Sequence, residues 1–363
     1  MKTYELLGED LKLILKDNML ALISKGKLNI VSSAVYNGGF KKARVILNVH
    51  VPEDCDQKAV HENPEHLVLE ALKDLGVDPE QCVGLITAAD VKNFSIITAK
   101  KEDLTVSAIV TAGCSFAETA GEKIEASVTS LGTINTIIVI QGNPTESCLM
   151  QTFITATEAK TAGLREIDIR SKYSGDLATG TITDSTVIAS TGIGPKIRFG
   201  GPASKLGQMV AHCTREAVKN AIIKQSCLQP NRSILNRFTE RKLPIKEFTS
   251  EILKANSFKI SEEEVWLKIV EAIKAKPLFA LLLSMAVNID EEVKKGIIPK
   301  EFGDIGALTE NFKENLSKLI FDGKPHNSSI VTEKVNFDSY PFLKSALLCI
   351  IEKLFLEDEY KKA

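Results

Sequence analysis

The apolar residues of this chain change their spacing once, near residue 228, and that change limits the folds it can adopt. Before it, short apolar runs alternate with a period of two or stand between turn-forming residues, as strands do. After it, segments such as EEEVWLKIVEAIKA and PFLKSALLCIIEKLF repeat every 3.6 residues, as amphipathic helices do. A chain of 363 residues also exceeds one ordinary core. We therefore predict two domains, residues 1–228 and residues 229–363, of which the second is all helical.

The first domain is predicted to be α/β or α+β, with a mixed and partly antiparallel sheet. Strands are predicted at LKLILK, MLALIS and LNIVSSAV, separated by turns at residues 17–18 and 25–27, which is the pattern of a β-meander. Helices are predicted at PEHLVLEALKDLGV and, longer and half-buried, at ESCLMQTFITATEAKTAGLREI. Because strands and helices mix without strict alternation, this class fits better than a purely parallel fold.

The strand ARVILNVHV follows a sharp glycine turn, Asn-Gly-Gly at residues 37–39. Its period of two puts Arg44, Asn48 and His50 on one face and valine and leucine side chains on the other. An Asn-Gly pair is by itself typical of a hairpin turn. The polar face predicts contact with either a ligand cleft or solvent.

Charge and hydropathy exclude several classes of protein. Lys and Arg number 45 against 47 Asp and Glu, and no run of five like charges occurs, which disfavours nucleic acid as a partner. The amino-terminal segment carries charges throughout, and the longest apolar run, PLFALLLSMAVNI, is shorter than the roughly 20 residues of a membrane span. Seven cysteines without a Cys-x-x-Cys pair fit a reducing compartment. We expect a cytoplasmic protein with no membrane span.

Two segments resemble ligand sites by composition alone. Residues 50–66 are rich in histidine and acidic residues, Asp54 among them, but lack tight metal-ligand spacing, so we predict a solvated loop with a helix cap and no metal site. The glycine-rich stretch at residues 192–207 lacks the order of a P-loop and predicts only a flexible or anion-contacting loop.

Polar residues stand beside glycine or alanine at five predicted strand ends, all in the first domain. These ends are residues 37–39, 87–90, 111–113, 132–135 and 180–184. Small residues let a ligand approach the backbone, and polar side chains there supply hydrogen bonds. Turn formation explains any one of them, but their recurrence indicates a polar cleft framed by small residues.

In order and spacing, SSAVYNGG, ARVILNVHVP, GLITAADV, VTAG, GTINTIIVI, TATEAKTAGL and GTITDSTVIA resemble the adenosylcobinamide amidohydrolase family of corrinoid salvage. The resemblance covers residues 28 to 225 and leaves the helical domain outside. It implies hydrolysis of the amide that joins the aminopropanol arm to the corrin ring of adenosylcobinamide. The products are adenosylcobyric acid, which returns to coenzyme B12 assembly in a prokaryote, and 1-amino-2-propanol. The corrinoid is then a substrate, no cofactor is predicted, and the metal requirement stays open.

Amide hydrolysis requires an activated water, donors for the oxyanion and an acid for the departing amine. From the matching motifs we hypothesise that Asp90 or Glu158 is the base, because apolar surroundings raise the pKa of a carboxyl. Lys160 or His50 is the hypothesised acid. The predicted substrate-binding residues are Asn37, Gly38, Gly39, Asn48, Thr111, Asn135, Thr183 and Asp184. Within this set, the residues of the 37–39 turn are expected to stabilise the oxyanion.

Several alternatives remain open. Thr111 or Thr183 could be a nucleophile that forms an acyl-enzyme. The chain could instead be a corrinoid-binding or delivery protein without chemistry, or a hydrolase of a different amide. The C-terminal helices could pack on the first domain, pair two chains into a homodimer or dock a partner; Trp266 and the PLFALLLSMAV segment are predicted to be core.

Overall fold

The computed structural model describes residues 2–6, 10–52, 55–123, 133–256, 261–299, 301, 303–321, 335–336 and 339–362. The chain separates into two compact units, Met1–Arg232 and Ser233–Ala363. The boundary between the units thus lies after residue 232, whereas the change in apolar spacing predicts a boundary after residue 228. The first unit combines a mixed sheet with helices and the second is helical in its described part, which confirms the predicted fold class.

The first unit contains the strands and four of the helices. The strands are β1 (Lys2–Leu6), β2 (Leu11–Lys16), β3 (Met19–Ser32), β4 (Gly39–His50), β5 (Cys82–Thr87), β6 (Ser95–Lys101), β7 (Leu104–Ala112), β8 (Ala117–Glu118), β9 (Ile134–Gln141), β10 (Asn143–Pro144), β11 (Gly180–Thr181), β12 (Ser185–Ser190) and β13 (Lys196–Ile197). The helices are α1 (Gln57–Glu62), α2 (Glu65–Leu75), α3 (Glu146–Glu166) and α4 (Lys205–Ser226).

One large mixed sheet organises this unit. Its strands follow the order β1-β2-β3-β12-β9-β7-β6, while β4 pairs with β3 and with β5. The β12–β9 and β4–β5 pairs are parallel and the other pairs of this sheet are antiparallel. The sheet curls, because residues from distant strands, among them Leu22, Ile46, Ile109, Ile137 and Val187, share one apolar cluster on its concave face. The opposite ends of the sheet therefore come close together around this cluster.

Helices cover the convex face of the sheet. Helices α3 and α4 pack on Ile138 and Ile188, and α2 packs on Val45 and Leu47 of β4. The predicted alternation along β4 is confirmed. Both faces of the strand are buried, because Val45 and Leu47 meet α2 while Ile46 and Asn48 enter the concave interior. On the polar face of β4, Asn48 thus points into the curled sheet, while Arg44 is exposed and His50 is half-buried.

The turn predicted at residues 25–27 is wrong. Strand β3 runs unbroken through that segment, and its pairing with β4 shifts register between Ile23 and Leu28. The exposed Lys-Gly-Lys sequence forms a bulge, for which a flexible glycine serves as well as it does in a turn. The bulge lets one strand pair first with β2 and then with β12 along the same edge.

The glycine-rich stretch at residues 192–207 is closely packed at two of its glycines. A Cβ on Gly200 would lie 2.5 Å from the carbonyl oxygen of Cys148, and a Cβ on Gly207 would lie 1.9 Å from that of Gly201. These glycines let the stretch approach α3 and begin α4. Close packing therefore accounts for them without an anion.

The second unit contains α5 (Ile234–Glu240), α6 (Ile245–Ala255), α7 (Glu262–Ala275), α8 (Pro277–Lys294), α9 (Ile305–Ile320) and α10 (Pro341–Lys362). Phe279, Leu282 and Leu283 of α8 lie in its core and Trp266 packs against that core, as predicted, although Leu281 and Met285 are exposed. None of the helices in the described part of the chain combines the length and apolar character that a membrane crossing requires.

Candidate active site

A cavity of about 240 Å³ opens where β9 and β12 begin, and we call it the Asp184 cavity. Its walls come from the β3–β4 connection, the ends of β4 and β5, the α1–α2 junction and the residues that precede β9 and β12. The polar side chains on its wall are those of Ser33, His61, Thr87, Thr133, Thr183, Asp184 and Ser185. The rest of the wall is apolar. A cleft with a few convergent polar groups is the usual form of a small-molecule site.

Asp184 accepts two hydrogen bonds at each carboxylate oxygen. Oδ1 accepts from the amide of Ile134 at 2.9 Å and from the Thr181 hydroxyl, and Oδ2 accepts from the amide of Thr181 at 3.1 Å and from Lys160 Nζ. The side chains of Lys160 and Asp184 are only 12% and 14% exposed. A Cβ on Gly180 would lie 2.5 Å from Asp184 Oδ2, so glycine is required beside the pair. Asp184 therefore ties α3 to the starts of β9 and β12.

A pair of hydroxyl groups lies beside Asp184. Thr133 Oγ1 and Thr183 Oγ1 are 2.7 Å apart, and both residues line the cavity. Hydroxyls donate and accept hydrogen bonds, which matches the N–H and C=O groups of an amide. The pair thus gives the cavity a surface that an amide substrate can bind.

Directly beneath the cavity, three buried side chains form a hydrogen-bonded chain across the curled sheet. Asn48 Nδ2 on β4 donates to Thr111 Oγ1 on β7 at 2.9 Å, and Asn135 Nδ2 on β9 donates to Asn48 Oδ1 at 2.8 Å. Asn135 Nδ2 also donates to the carbonyl of Ile86, a residue of the cavity wall. Each of the three is 1% exposed, and Asn135 Oδ1 has no partner among the described residues. This chain holds the strand ends in place under the cavity.

The charges of the Asp184–Lys160 pair affect the pKa of two groups that do not line the cavity. Glu118 lies on β8, which pairs with β11, and burial followed by the negative charge of Asp184 raises the pKa of its carboxyl. Burial raises the pKa of the Cys114 thiol to about 12, an effect to which Asp184 adds. The thiol is therefore protonated at neutral pH and is a poor nucleophile.

The structure brings six of the predicted residues to this region. Lys160, Thr183 and Asp184 lie together at the cavity, and Asn48, Thr111 and Asn135 lie beneath it.

The predicted acid and base candidates outside this group lie elsewhere. Glu158 is exposed on α3, so the apolar surroundings expected for it are absent, because its side chain leaves the helix on the solvent side. Asp90 caps the 3-10 turn Val91–Asn93 by accepting from Lys92 N at 2.9 Å. His50 is half-buried at the end of β4, with Nδ1 3.0 Å from the carbonyl of Ala89. None of these three side chains lines the Asp184 cavity.

The 37–39 turn does not line the cavity either. Asn37 Nδ2 donates to the carbonyls of Pro79 and Cys82, so the side chain expected to bind an oxyanion fastens the turn to the start of β5. Gly39 has φ +84° and fits the turn for that reason. From the same connection, Ser33 and Val35 reach the cavity wall instead.

The histidine-rich segment at residues 50–66 forms a helix cap where it is described. Asp56 caps α1 by accepting from the amides of Lys58 and Ala59; Asp54 lies outside the described residues. No three histidine, cysteine or acidic side chains gather as metal ligands anywhere in the part of the chain that the structure describes.

Sequence reasoning missed most of the polar residues on the cavity wall and one acidic residue beside it, of which three are instructive. Thr133 belongs to the Gly-Thr-Ile-Asn strand end and was within reach of the motif pattern. His61 has the chemistry but no local signal that distinguishes it from its neighbours. Glu118 approaches Asp184 only because β8 pairs with β11, some 60 residues later in the chain, and no short motif announces that pairing.

Comparison with known proteins identifies the family to which the chain belongs. Residues 7–230 match the model of the adenosylcobinamide amidohydrolase family, which is more than half of the chain. An adenosylcobinamide amidohydrolase of Methanosarcina mazei is 29% identical over 207 residues, covering 54% of this chain and 92% of that protein. An uncharacterized protein of Methanocaldococcus jannaschii is 29% identical over 220 residues, covering 55% and 84%. A crystal structure of a Pyrococcus horikoshii protein aligns with a TM-score of 0.32 and 12% identity, over 60% of this chain and 82% of that one. The chain belongs to the adenosylcobinamide amidohydrolase family.

Proposed function

We propose that the first unit hydrolyses the aminopropanol amide of adenosylcobinamide to adenosylcobyric acid and 1-amino-2-propanol, as a step of cobalamin salvage. The observation that carries this proposal is the position of the Asp184 cavity. It lies within the residues that match the family, at strand ends that bear the family-like motifs. Its wall offers hydroxyl and carboxylate groups beside apolar side chains, a combination suited to one amide on a largely apolar molecule.

The volume of the cavity indicates how the substrate binds. About 240 Å³ is below the range of about 300–1,000 Å³ found for pockets that enclose drug-sized ligands, and a corrin ring is larger than such ligands. We infer that the amide arm enters the cavity while the ring lies outside its mouth. Val35, which lines the cavity and is 40% exposed, offers apolar surface at that boundary.

The polar residues of the cavity have separable roles in this proposal. The Thr133–Thr183 hydroxyl pair binds the amide. The Lys160–Asp184 pair positions these hydroxyls by fixing the residues on both sides of Thr183. Thr111 is buried beneath the cavity with its hydroxyl accepting from Asn48, so of the two candidate threonine nucleophiles Thr183 is the one that the substrate can reach. With water as the nucleophile no acyl-enzyme forms, and hydroxylamine then yields no corrinoid hydroxamate.

The test is a product assay. Chelator-treated full-length protein is incubated with adenosylcobinamide, and the corrinoids are separated by chromatography. We expect adenosylcobyric acid and an equal amount of 1-amino-2-propanol, and activity with and without added metal reads out the metal requirement. Tight binding without product would show a corrinoid-binding protein, and preference for a small amide in competition would show a different hydrolase. Either result contradicts the proposal.

A further inference from the structure

We propose that His61 is the proton-transferring residue of the amide hydrolysis, first as the base that activates water and then as the acid that protonates the leaving amine. This inference rests on the proposed function and adds a residue to it. It assigns to one cavity-lining imidazole the two roles that the motif pattern divides among Asp90, Glu158, Lys160 and His50.

The composition of the cavity wall carries the argument. Hydrolysis of an amide needs a group that accepts a proton and later gives it up. Among the described side chains that line the Asp184 cavity, those of His61 and Asp184 are ionisable and the others are hydroxyl or apolar. Within the described part of this wall, the candidates for the proton carrier are therefore these two residues.

Asp184 is unsuited to be the base, because its carboxylate is already engaged in hydrogen bonds. Its two oxygens accept four hydrogen bonds, one of them from the ammonium group of Lys160. A carboxylate whose acceptor positions are filled in this way has no lone pair directed at a water molecule. Protonating it would also leave Lys160, whose side chain is 12% exposed, without its counter-charge.

His61, in contrast, has an imidazole that is available to the substrate. It lies in the last turn of α1, exposed at the cavity mouth, and within the described residues its imidazole has neither a hydrogen-bond nor an ion-pair partner. His66, on the next helix, differs in this respect, since its ring lies 3.7 Å from Glu70 and does not line the cavity. Histidine is the side chain whose ordinary pKa lies nearest neutrality, which suits a group that must both take and return a proton.

The proposed step balances. An imidazole nitrogen takes one proton from water as the water oxygen bonds to the amide carbon, which gives a tetrahedral oxyanion. The imidazolium then gives that proton to the amide nitrogen as the carbon–nitrogen bond breaks. The products are the carboxylic acid of the corrinoid and the free amine, which exchange a proton through solvent. No metal, oxidant or reductant enters the step.

Other charged groups near His61 must be considered in any pH experiment. Asp184 lies across the cavity, and Lys58 and Glu62 on α1 lie 3.9 Å apart and pair with each other. The further ionisable groups described on adjoining elements are Asp56 at the start of α1, Glu65, His66, Glu70, Lys73 and Asp74 on α2, and Lys41, Lys42, Arg44 and His50 on β4. A change seen in a His61 variant but not in a His66 variant is therefore assigned to His61.

The experiment compares His61→Gln and His61→Ala with the matched control His66→Ala, all as full-length proteins acting on adenosylcobinamide. We expect both His61 variants to lower kcat by about a hundredfold or more with little change in KM. We also expect them to lose the acidic limb of the pH profile, and His61→Ala to be partly restored by free imidazole. His66→Ala is expected to act as wild type.

Full activity of His61→Gln would overturn the inference and leave the proposed function standing. So would a loss confined to KM, or a kcat loss without change in the pH profile and without rescue, since either is the mark of a merely structural or binding role. A wild-type chain that leaves adenosylcobinamide intact would overturn the proposed function and this role with it.

Discussion

Replacing Asp184 by alanine tests whether its carboxylate holds the candidate site together. The change removes the carboxylate that pairs with the Lys160 ammonium and accepts from three further donor groups. Because both side chains are more than four-fifths buried, solvent screens this loss only weakly. Removing one partner of a buried pair costs about 3–5 kcal/mol, and we expect Asp184→Ala to lower the free energy of unfolding of the first unit by that amount.

The same geometry predicts an asymmetry between the two partners. Lys160→Met leaves Asp184 with three donors, so the expected cost is only about 1–2 kcal/mol. The double variant should lose less than the sum of the single losses, by about 1–3 kcal/mol, because the two residues share one interaction. Glu80→Ala provides the control, since it breaks the exposed Lys41–Glu80 pair, which is expected to be worth less than about 1 kcal/mol.

The assay must report the first unit alone. The single tryptophan, Trp266, lies in the second unit, so its fluorescence is unsuitable. Hydrogen exchange of the full-length protein, followed by mass spectrometry on peptides from β9 and β12, measures the opening free energy where Asp184 acts. Protection in Asp184→Ala equal to wild type, or a larger loss in Lys160→Met than in Asp184→Ala, would refute the reasoning.

Three further predictions concern other positions. Gly180→Ala is expected to lower adenosylcobinamide hydrolysis at least tenfold in a steady-state assay, because the new Cβ would lie 2.5 Å from Asp184 Oδ2; Gly26→Ala, with nothing within 4 Å, is the control. Cys114→Ala should retain hydrolysis, and the native thiol should react slowly with iodoacetamide at pH 7, because its pKa is raised to about 12. Burial raises the pKa of Asp290 from 3.8 to about 6, so the folded second unit keeps a proton that the unfolded chain has released. Its contribution to stability is therefore largest at low pH and falls as pH rises from about 4 to 6, by about 3 kcal/mol. Unfolding followed by Trp266 fluorescence should show Asp290→Asn gaining stability relative to wild type over that range, and a constant difference would contradict a raised pKa of Asp290.

Local pattern was enough to predict much of the fold. The period of two along β4 and the 3.6 period of α7 reflect burial on one face, which neighbouring residues encode directly. The helix α2 ends at Gly76 in the left-handed conformation, as its sequence predicts. The sequence predicts a turn where β3 has a bulge, because Lys-Gly-Lys is compatible with either structure and only the pairing of the strands on both sides decides between them.

The candidate site was less predictable, for a physical reason. The motifs predict that Thr183 and Asp184 lie at a polar strand end, as they do. A motif does not predict which residues of other elements a strand end contacts. Asp184 meets Lys160 because α3 packs on the sheet, and His61 lines the cavity because the α1–α2 junction forms part of its wall. Glu158 illustrates the opposite error. The spacing of apolar residues in its helix is compatible with partial burial and predicts apolar surroundings, but the carboxylate is exposed.

The central claim is that the amide arm of adenosylcobinamide is cleaved in the Asp184 cavity. Its most direct test is the rate of adenosylcobyric acid formation by wild type and by Ala88→Trp, which fills the cavity from the end of β5. Ala203→Trp, at an exposed position before α4, is the matched control. We predict product from wild type and the control, and a loss of about a hundredfold or more in kcat/KM for Ala88→Trp with unchanged Tm. Turnover by Ala88→Trp at the wild-type rate, or no product from wild type, would contradict the account.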